Sequence, residues 1–326
     1  MKKILIIKLG ALGDVVRTLP MLPAIKEAYP DSEIYWVTKP NATGILETHH
    51  LINRVFPLPV TFNEKFDILY NFDIEEDATQ LAEKTNAEKK YGFYSEGGYA
   101  SAFNLPAEYY LNTLFDDETK KTNKKTYQEM MFEAAELPYK KQHSIIYLTK
   151  EDEEYAENFL KSNSINKEKL IGIHLGAGPR WPSKAWAENK IKDFIIRAKE
   201  KGYEILLFAG ADEKDKINVI VRELNNGSIK VCQNNPDNTI RQFASLVNLC
   251  KVVICSDSLA LHVSIAMKKP TIALFFCTPP NEVESYGILK KLVSPMLYEF
   301  FPEKMDQFSE ELVNSISVEE VLNSID

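Results

Sequence analysis

A carboxylate set just behind a glycine-bearing turn is suited to take a proton from an attacking hydroxyl. The stretch Lys8-Leu9-Gly10-Ala11-Leu12-Gly13-Asp14-Val15-Val16-Arg17 offers Asp14 in that place. Glycines there permit positive φ and let a ligand approach the backbone closely. The stretch is neither GxGxxG nor a P-loop ending in GK[ST], so its spacing alone points to no dinucleotide or nucleoside triphosphate. Asp14 is equally at home as a first-turn carboxylate favoured by the helix macrodipole, and the local pattern leaves both roles open.

Three further segments have the chemistry of an anion or nucleotide site. His174-Leu175-Gly176-Ala177-Gly178-Pro179-Arg180-Trp181-Pro182-Ser183-Lys184-Ala185-Trp186 is a glycine-rich run ending in basic residues. Exposed amides and the Lys184 ammonium would suit a diphosphate; an ordinary strand-to-helix loop over a packed Trp186 would read the same way. Gly210-Ala211-Asp212-Glu213 places a carboxylate where ribose hydroxyls often bind, or where a helix is capped. The most specific segment is Cys255-Ser256-Asp257-Ser258-Leu259-Ala260-Leu261-His262-Val263. A helix opening at Asp257 and Ser258 presents free amides to an anion without a metal, and His262 lies one turn beyond Ser258 on the same face. A helical histidine of this kind also serves as a plain structural residue.

Such residues act only if they stand just after strands, and the pattern supplies the strands. Apolar runs at Ile4–Leu9, Glu33–Thr38, Arg54–Pro57 and Phe66–Phe72 alternate with amphipathic stretches, which predicts parallel βαβ units. The second half repeats this logic at Leu170–Leu175, Glu204–Ala209, Ile229–Val231, Val252–Ser256 and Thr271–Phe275. Tyr127, Met130, Met131 and Ala134 recur at helical spacing in Thr126–Leu137, followed by Pro138 and a polar stretch. This places a boundary between a domain 1–145 and a domain 146–326, with a cleft expected at the carboxyl ends of both sheets. At the end of the chain, Phe308, Leu312, Val313 and Ile316 predict a packed helical tail of structural use only.

Composition narrows the function classes. The 326 residues are 44% hydrophobic and 26% charged, with no apolar run near the ~18 residues of a membrane span. The opening Met1-Lys2-Lys3 is followed by too short an apolar run for a signal peptide, so a cytoplasmic protein is expected. A net charge of −8 argues against a duplex nucleic-acid partner. Cys232, Cys250, Cys255 and Cys277 form no CxxC pair, which predicts buried thiols and no zinc site.

Taken in order, three motifs span almost the whole chain: Gly13-Asp14-Val15 with Thr18-Leu19-Pro20, the Gly176–Trp186 loop with Lys184-x-Trp186, and Asp257-Ser258…His262 followed by Lys269-Pro270-Thr271. Together they resemble glycosyltransferase family nine, the heptosyltransferases that build the inner core of lipopolysaccharide from ADP-heptose. The resemblance implies an α/β chain of GT-B architecture, two Rossmann-like domains with parallel sheets facing an interdomain cleft, acceptor on the N-terminal side and nucleotide sugar on the C-terminal side. It implies that Asp14 is the catalytic base, that Lys184 binds the departing diphosphate and that Glu213 contacts the nucleoside. Gly13, Gly176, Ala177, Asp257, Ser258, Leu259 and His262 complete the implied nucleotide-sugar site. Leu259 stands where the family pattern has glycine, which alters the close backbone approach to phosphate.

The expected reaction is an inverting single displacement without cofactor or metal, from a nucleotide-activated sugar to an anionic glycolipid or glycan. Helix amides and Lys184 would stabilise the leaving group. Lys89, Lys90, Lys120, Lys121, Lys124 and Lys125 could attract such an acceptor or a membrane surface in peripheral contact, or form a solvated loop offset by Asp116, Asp117 and Glu118. Two other readings fit the same sites. One is a nucleotide-sugar epimerase or hydrolase, and the other is a catalytically inactive nucleotide-sugar binder.

Overall fold

The computed structural model describes residues 1–325 except Ala177 and Pro179. Its contacts divide the chain into two units, Met1–Tyr147 with Asn281–Glu284, and Leu148–Pro280 with Ser285–Asp326. The short return segment belongs to the first unit, where the Asn281 amide donates to the Asn123 carbonyl and the Tyr139 hydroxyl to Glu284 Oε2 at 3.3 Å.

The first unit is built on β1 (Lys2–Ile7), β2 (Ser32–Thr38), β3 (Arg54–Pro57), β4 (Phe66–Asn71), β5 (Ala87–Glu96) and β6 (Tyr99–Ala102), in sheet order β3-β2-β1-β4-β5-β6. All neighbours are parallel except β5 and β6, which form an antiparallel hairpin. Ile4, Leu5, Ile6 and Ile7 are each 0% exposed, so β1 is covered on both faces. This is why an unbroken apolar run, rather than alternation, marks it in the sequence. The helix Tyr127–Ala134 starts at a capping box between Thr126 and Glu129 and buries Tyr127, Met130, Met131 and Ala134, as its spacing predicts.

The second unit repeats the order with β7 (Leu170–His174), β8 (Glu204–Phe208), β9 (Cys232–Gln233), β10 (Val252–Ser256), β11 (Thr271–Phe275) and β12 (Leu289–Val293), arranged β12-β11-β10-β7-β8-β9 and parallel throughout. Both sheets change direction of strand order between their first and fourth strands, at β1/β4 and β7/β10. Ligands bind outside the carboxyl ends of strands at such a point. The α/β reading as two Rossmann-like units therefore holds.

Three details depart from the sequence reading. The strand expected at Ile229–Val231 forms instead at Cys232–Gln233. Ser228 takes a left-handed conformation and the Ile229 amide bonds back to Leu224, so Ile229 closes the preceding helix before any ladder can begin. β5, β6 and β12 have no counterpart in that reading. The tail is two short helices, Glu310–Asn314 and Val318–Leu322, rather than one. Leu312 and Ile316 enter the core, but Phe308 is 65% exposed.

Candidate functional site

In the first unit the site begins with a charge that the apolar run of β1 delivers into the interior. Lys8 is buried at the end of β1, and its Nζ donates to the Phe72 carbonyl at 2.9 Å and lies 3.3 Å from Asp73 Oδ2. Asp73, also buried, follows β4 on the other side of the switch point. Its Oδ2 accepts the amides of Leu9 (2.9 Å) and Gly10 (2.7 Å), and its Oδ1 accepts that of Glu75 (3.0 Å). Burial alone would discharge both groups. At Lys8 it is outweighed by Tyr127, Asp73 and Asp14, so the ammonium pKa is raised; at Asp73 it is outweighed by Lys8 and the three amides, so the carboxyl pKa is lowered. The pair therefore holds its full charges and fixes the turn that leads to Asp14.

Asp14 lies in the first turn of the helix Leu12–Thr18, with its side chain 32% exposed and its Oδ1 2.8 Å from Arg17 Nη2. Arg17 is stacked 3.6 Å above the Tyr127 ring, whose hydroxyl lies 3.1 Å from Thr18 Oγ1. The carboxylate is thus a first-turn residue that is still reached by solvent, so a place near the helix dipole and access for a ligand do not compete. Gly10 allows this packing, because a Cβ there would stand 2.9 Å from Asp14 Cβ and 3.3 Å from Asp73 Oδ2. Gly13, by contrast, is buried inside the helix's first turn.

In the second unit, Lys184 Nζ lies 3.2 Å from Asp257 Oδ2, and His262 Nε2 lies 4.0 Å from Asp257 Oδ1. Asp257 and Ser258 follow β10 directly and open the helix Leu259–Ala266. No side chain caps that helix, since the Ser258 hydroxyl instead donates to the Ser256 carbonyl at 3.2 Å. Its first amides remain suited to an anion. Leu259 is the first helical residue and is half-buried. Cys277, after β11, feels this charge: burial pushes its thiol up to about 11, with Lys184 opposing and Asp257 reinforcing.

Glu213 packs directly against Gly176. Its Oε2 accepts the Gly210 amide at 3.0 Å, and a Cβ on Gly176 would stand 2.1 Å from its Oε1. Close packing on Glu213, rather than turn geometry, is what requires Gly176. Gly178 does take positive φ, +74°. His174 Nδ1 lies 2.9 Å from the Gly176 carbonyl, and burial holds its imidazole below the ordinary pKa despite nearby Glu213. Ala177 lies outside the described residues.

The structure thus groups Asp14 with Lys8, Asp73, Arg17 and Tyr127, and groups Lys184 with Asp257 and His262. Glu213 pairs with Gly176. The sequence reading missed Gly10, Lys8 and Asp73 as participants. Their signal was present, since each charged residue directly follows a strand run, Ile4–Ile7 for Lys8 and Phe66–Phe72 for Asp73. The lysine patch is less free than its composition suggests. Lys120 pairs with Asp117 at 3.4 Å, Lys125 with Glu133 at 2.6 Å, and Lys90 donates to the Ala82 and Glu83 carbonyls at 2.9 and 2.8 Å. Among the described residues, no group of three or more His, Cys, Asp or Glu is placed to hold a metal ion, and no helix is long and apolar enough to cross a membrane.

Comparison with known proteins gives this arrangement a family. Residues 62–311 match the model of glycosyltransferase family 9 (heptosyltransferase). Lipopolysaccharide heptosyltransferase 2 of Salmonella typhimurium is 31% identical over 111 residues, a match spanning 34% of this chain and only 30% of that protein. Lipooligosaccharide heptosyltransferase 2 of Haemophilus ducreyi is 25% identical over 305 residues, covering 86% of this chain and 84% of its own. The solved structure of E. coli ADP-heptose lipopolysaccharide heptosyltransferase II superposes with a TM-score of 0.73 at 17% identity, covering 99% of this chain and 97% of that one, which supports the fold. With the family model matched over most of the chain, the protein belongs to glycosyltransferase family 9, the heptosyltransferase family.

Proposed function

We propose that the protein transfers heptose from ADP-heptose to an anionic envelope glycolipid of the lipopolysaccharide-core type, inverting the anomeric centre. The family membership and the names of the relatives support the donor and acceptor classes. On this reading the first unit serves the acceptor and the second holds the nucleotide sugar. The acceptor hydroxyl attacks the anomeric carbon as its proton passes to Asp14, and the bond to the diphosphate oxygen breaks with its electron pair. Lys184 and the first amides of Leu259–Ala266 take up the charge that develops on that oxygen. Glu213 serves the nucleoside, and His262 with Asp257 orients the sugar-diphosphate. Positive charge supplied in this way needs no divalent ion, so transfer should survive a chelator.

The observation that carries the mechanism is Asp14, an accessible carboxylate held 2.8 Å from Arg17 beside the buried Lys8–Asp73 pair. The test is ADP release from ADP-heptose, with and without core glycolipid and EDTA, comparing wild type with Asp14→Asn. Release should require acceptor, resist EDTA and fall by ~10² or more in the variant, with ADP affinity retained. Release without acceptor would indicate hydrolysis or isomerisation. Binding without release would indicate an inactive binder, and undiminished turnover by Asp14→Asn would remove Asp14 as the base. Peripheral contact with an anionic membrane is part of the same proposal, and vesicle co-sedimentation tests it.

A further inference from the structure

We infer that the C-terminal segment Gln307–Ile316 is a strap that positions Lys184; this rests on the assignment of Lys184 to the donor diphosphate made above. Lys184 ends a single 3-10 turn, Pro182–Lys184, whose backbone bond runs from the Lys184 amide to the Trp181 carbonyl at 3.0 Å. So short a turn cannot fix its own place in the unit, and the bonds that do so come from the tail. Ser183, wholly buried, donates through Oγ to the Gln307 carbonyl and accepts the Ser309 amide, both at 2.8 Å. Beyond Lys184, Trp186 Nε1 donates to the Ile316 carbonyl at 3.1 Å and the Ala187 amide to the Val313 carbonyl at 3.2 Å.

The backbone is therefore tied to one segment on both sides of Lys184, while the lysine side chain reaches Asp257. The strap is itself held in place. Leu312 and Ile316 sit in the core, and Ser315 Oγ donates to Ser294 Oγ at 2.7 Å. A lysine ammonium acts as a point charge on a flexible stem, so its placement depends on where the backbone root is held. A shift of about 1 Å at that root is enough to spoil charge-assisted contact with a diphosphate. Ser183 and Trp186 are on this account positioning residues, acting through Lys184.

The experiment is a double-mutant cycle read by calorimetric ADP affinity, with donor KM and kcat alongside, on wild type, Ser183→Ala, Lys184→Ala and the double variant. Lys184→Ala should weaken ADP about 10-fold and Ser183→Ala about 5-fold, with KM rising more than kcat falls. In the Lys184→Ala background, Ser183→Ala should change affinity by less than about 2-fold. Trp186→Phe, which removes the Ile316 bond together with part of a buried ring, repeats the cycle if Ser183→Ala does not fold. Equal loss in both backgrounds would overturn the strap and leave those bonds merely structural. So would a Ser183→Ala variant that binds ADP normally while Lys184→Ala binds poorly. If Lys184→Ala itself leaves ADP affinity intact, the assignment of Lys184 fails, and the strap fails with it.

Discussion

The two units share a strand order and differ in how each fixes the residues at its switch point. In the first, β1 and β4 end in a buried ion pair, Lys8 and Asp73, whose hydrogen bonds to local backbone lock the turn before Asp14. In the second, no such buried pair follows β7 and β10 among the described residues. There Gly176 packs on Glu213, the Lys184 turn is tied to the C-terminal segment, and the Lys184–Asp257 contact is partly exposed. One topology thus supports two methods of preorganisation. A buried charge pair gives rigidity at a desolvation cost, and would suit the proposed base, which must stay in one place. Packing and an uncapped helix leave first-turn amides without a side-chain cap, beside the Lys184–Asp257 pair, which would suit the proposed diphosphate as it arrives and leaves.

The largest expected effect on that contrast comes from Lys8→Met, which strands the Asp73 carboxylate in the interior. It should destabilise the first unit by about 3 kcal/mol, seen as faster peptide hydrogen exchange in β1 and β4, while ADP affinity stays within about 2-fold. Loss of ADP binding in this variant would break the comparison by coupling the second site to the first unit's charges.

Gly176→Ala reverses the pattern. The added methyl would force Glu213 aside, so ADP should weaken about 10-fold by titration calorimetry at a stability cost of about 1–2 kcal/mol. Unchanged affinity would show that Glu213 takes no part in nucleotide binding.

A smaller effect in the first unit is read by pH. His49 is buried against His50 and Tyr147, with ring centroids 5.5 and 5.0 Å away, and burial, with His50 assisting, lowers its pKa to about 4. The unfolded chain, with an ordinary histidine pKa near 6.5, binds this proton first. The first unit's stability is therefore full above about pH 6.5 and falls by about 1 kcal/mol or more as pH drops towards 4. Thermal melts of His49→Gln between those limits should lose that part of the acid sensitivity; an unaltered slope would place it elsewhere.

How much of this was legible in the sequence depends on burial. Central strands such as β1 and β10 are covered on both faces and write themselves as apolar runs, which underlies the α/β reading. The hairpin β5–β6 and the edge strand β12 carry mixed polar residues, as in Leu289–Val293 with its adjacent Lys290 and Lys291, because an edge buries less and needs less apolar surface. The spacing of Asp14, Lys184, Asp257 and His262 behind those runs made them candidates before any coordinates.

The residues alone determined the strand-and-helix alternation, the positions of reactive groups just after strands, and the family motifs, because each is a local property of a few neighbouring side chains. Only the tertiary structure decided that Lys8 meets Asp73, that Gly176 makes room for Glu213, and that residues 307–316 hold the turn of Lys184. Those are contacts between segments distant in sequence. Their partners are chosen by which strand ends the sheet order brings side by side, and no local pattern records that choice.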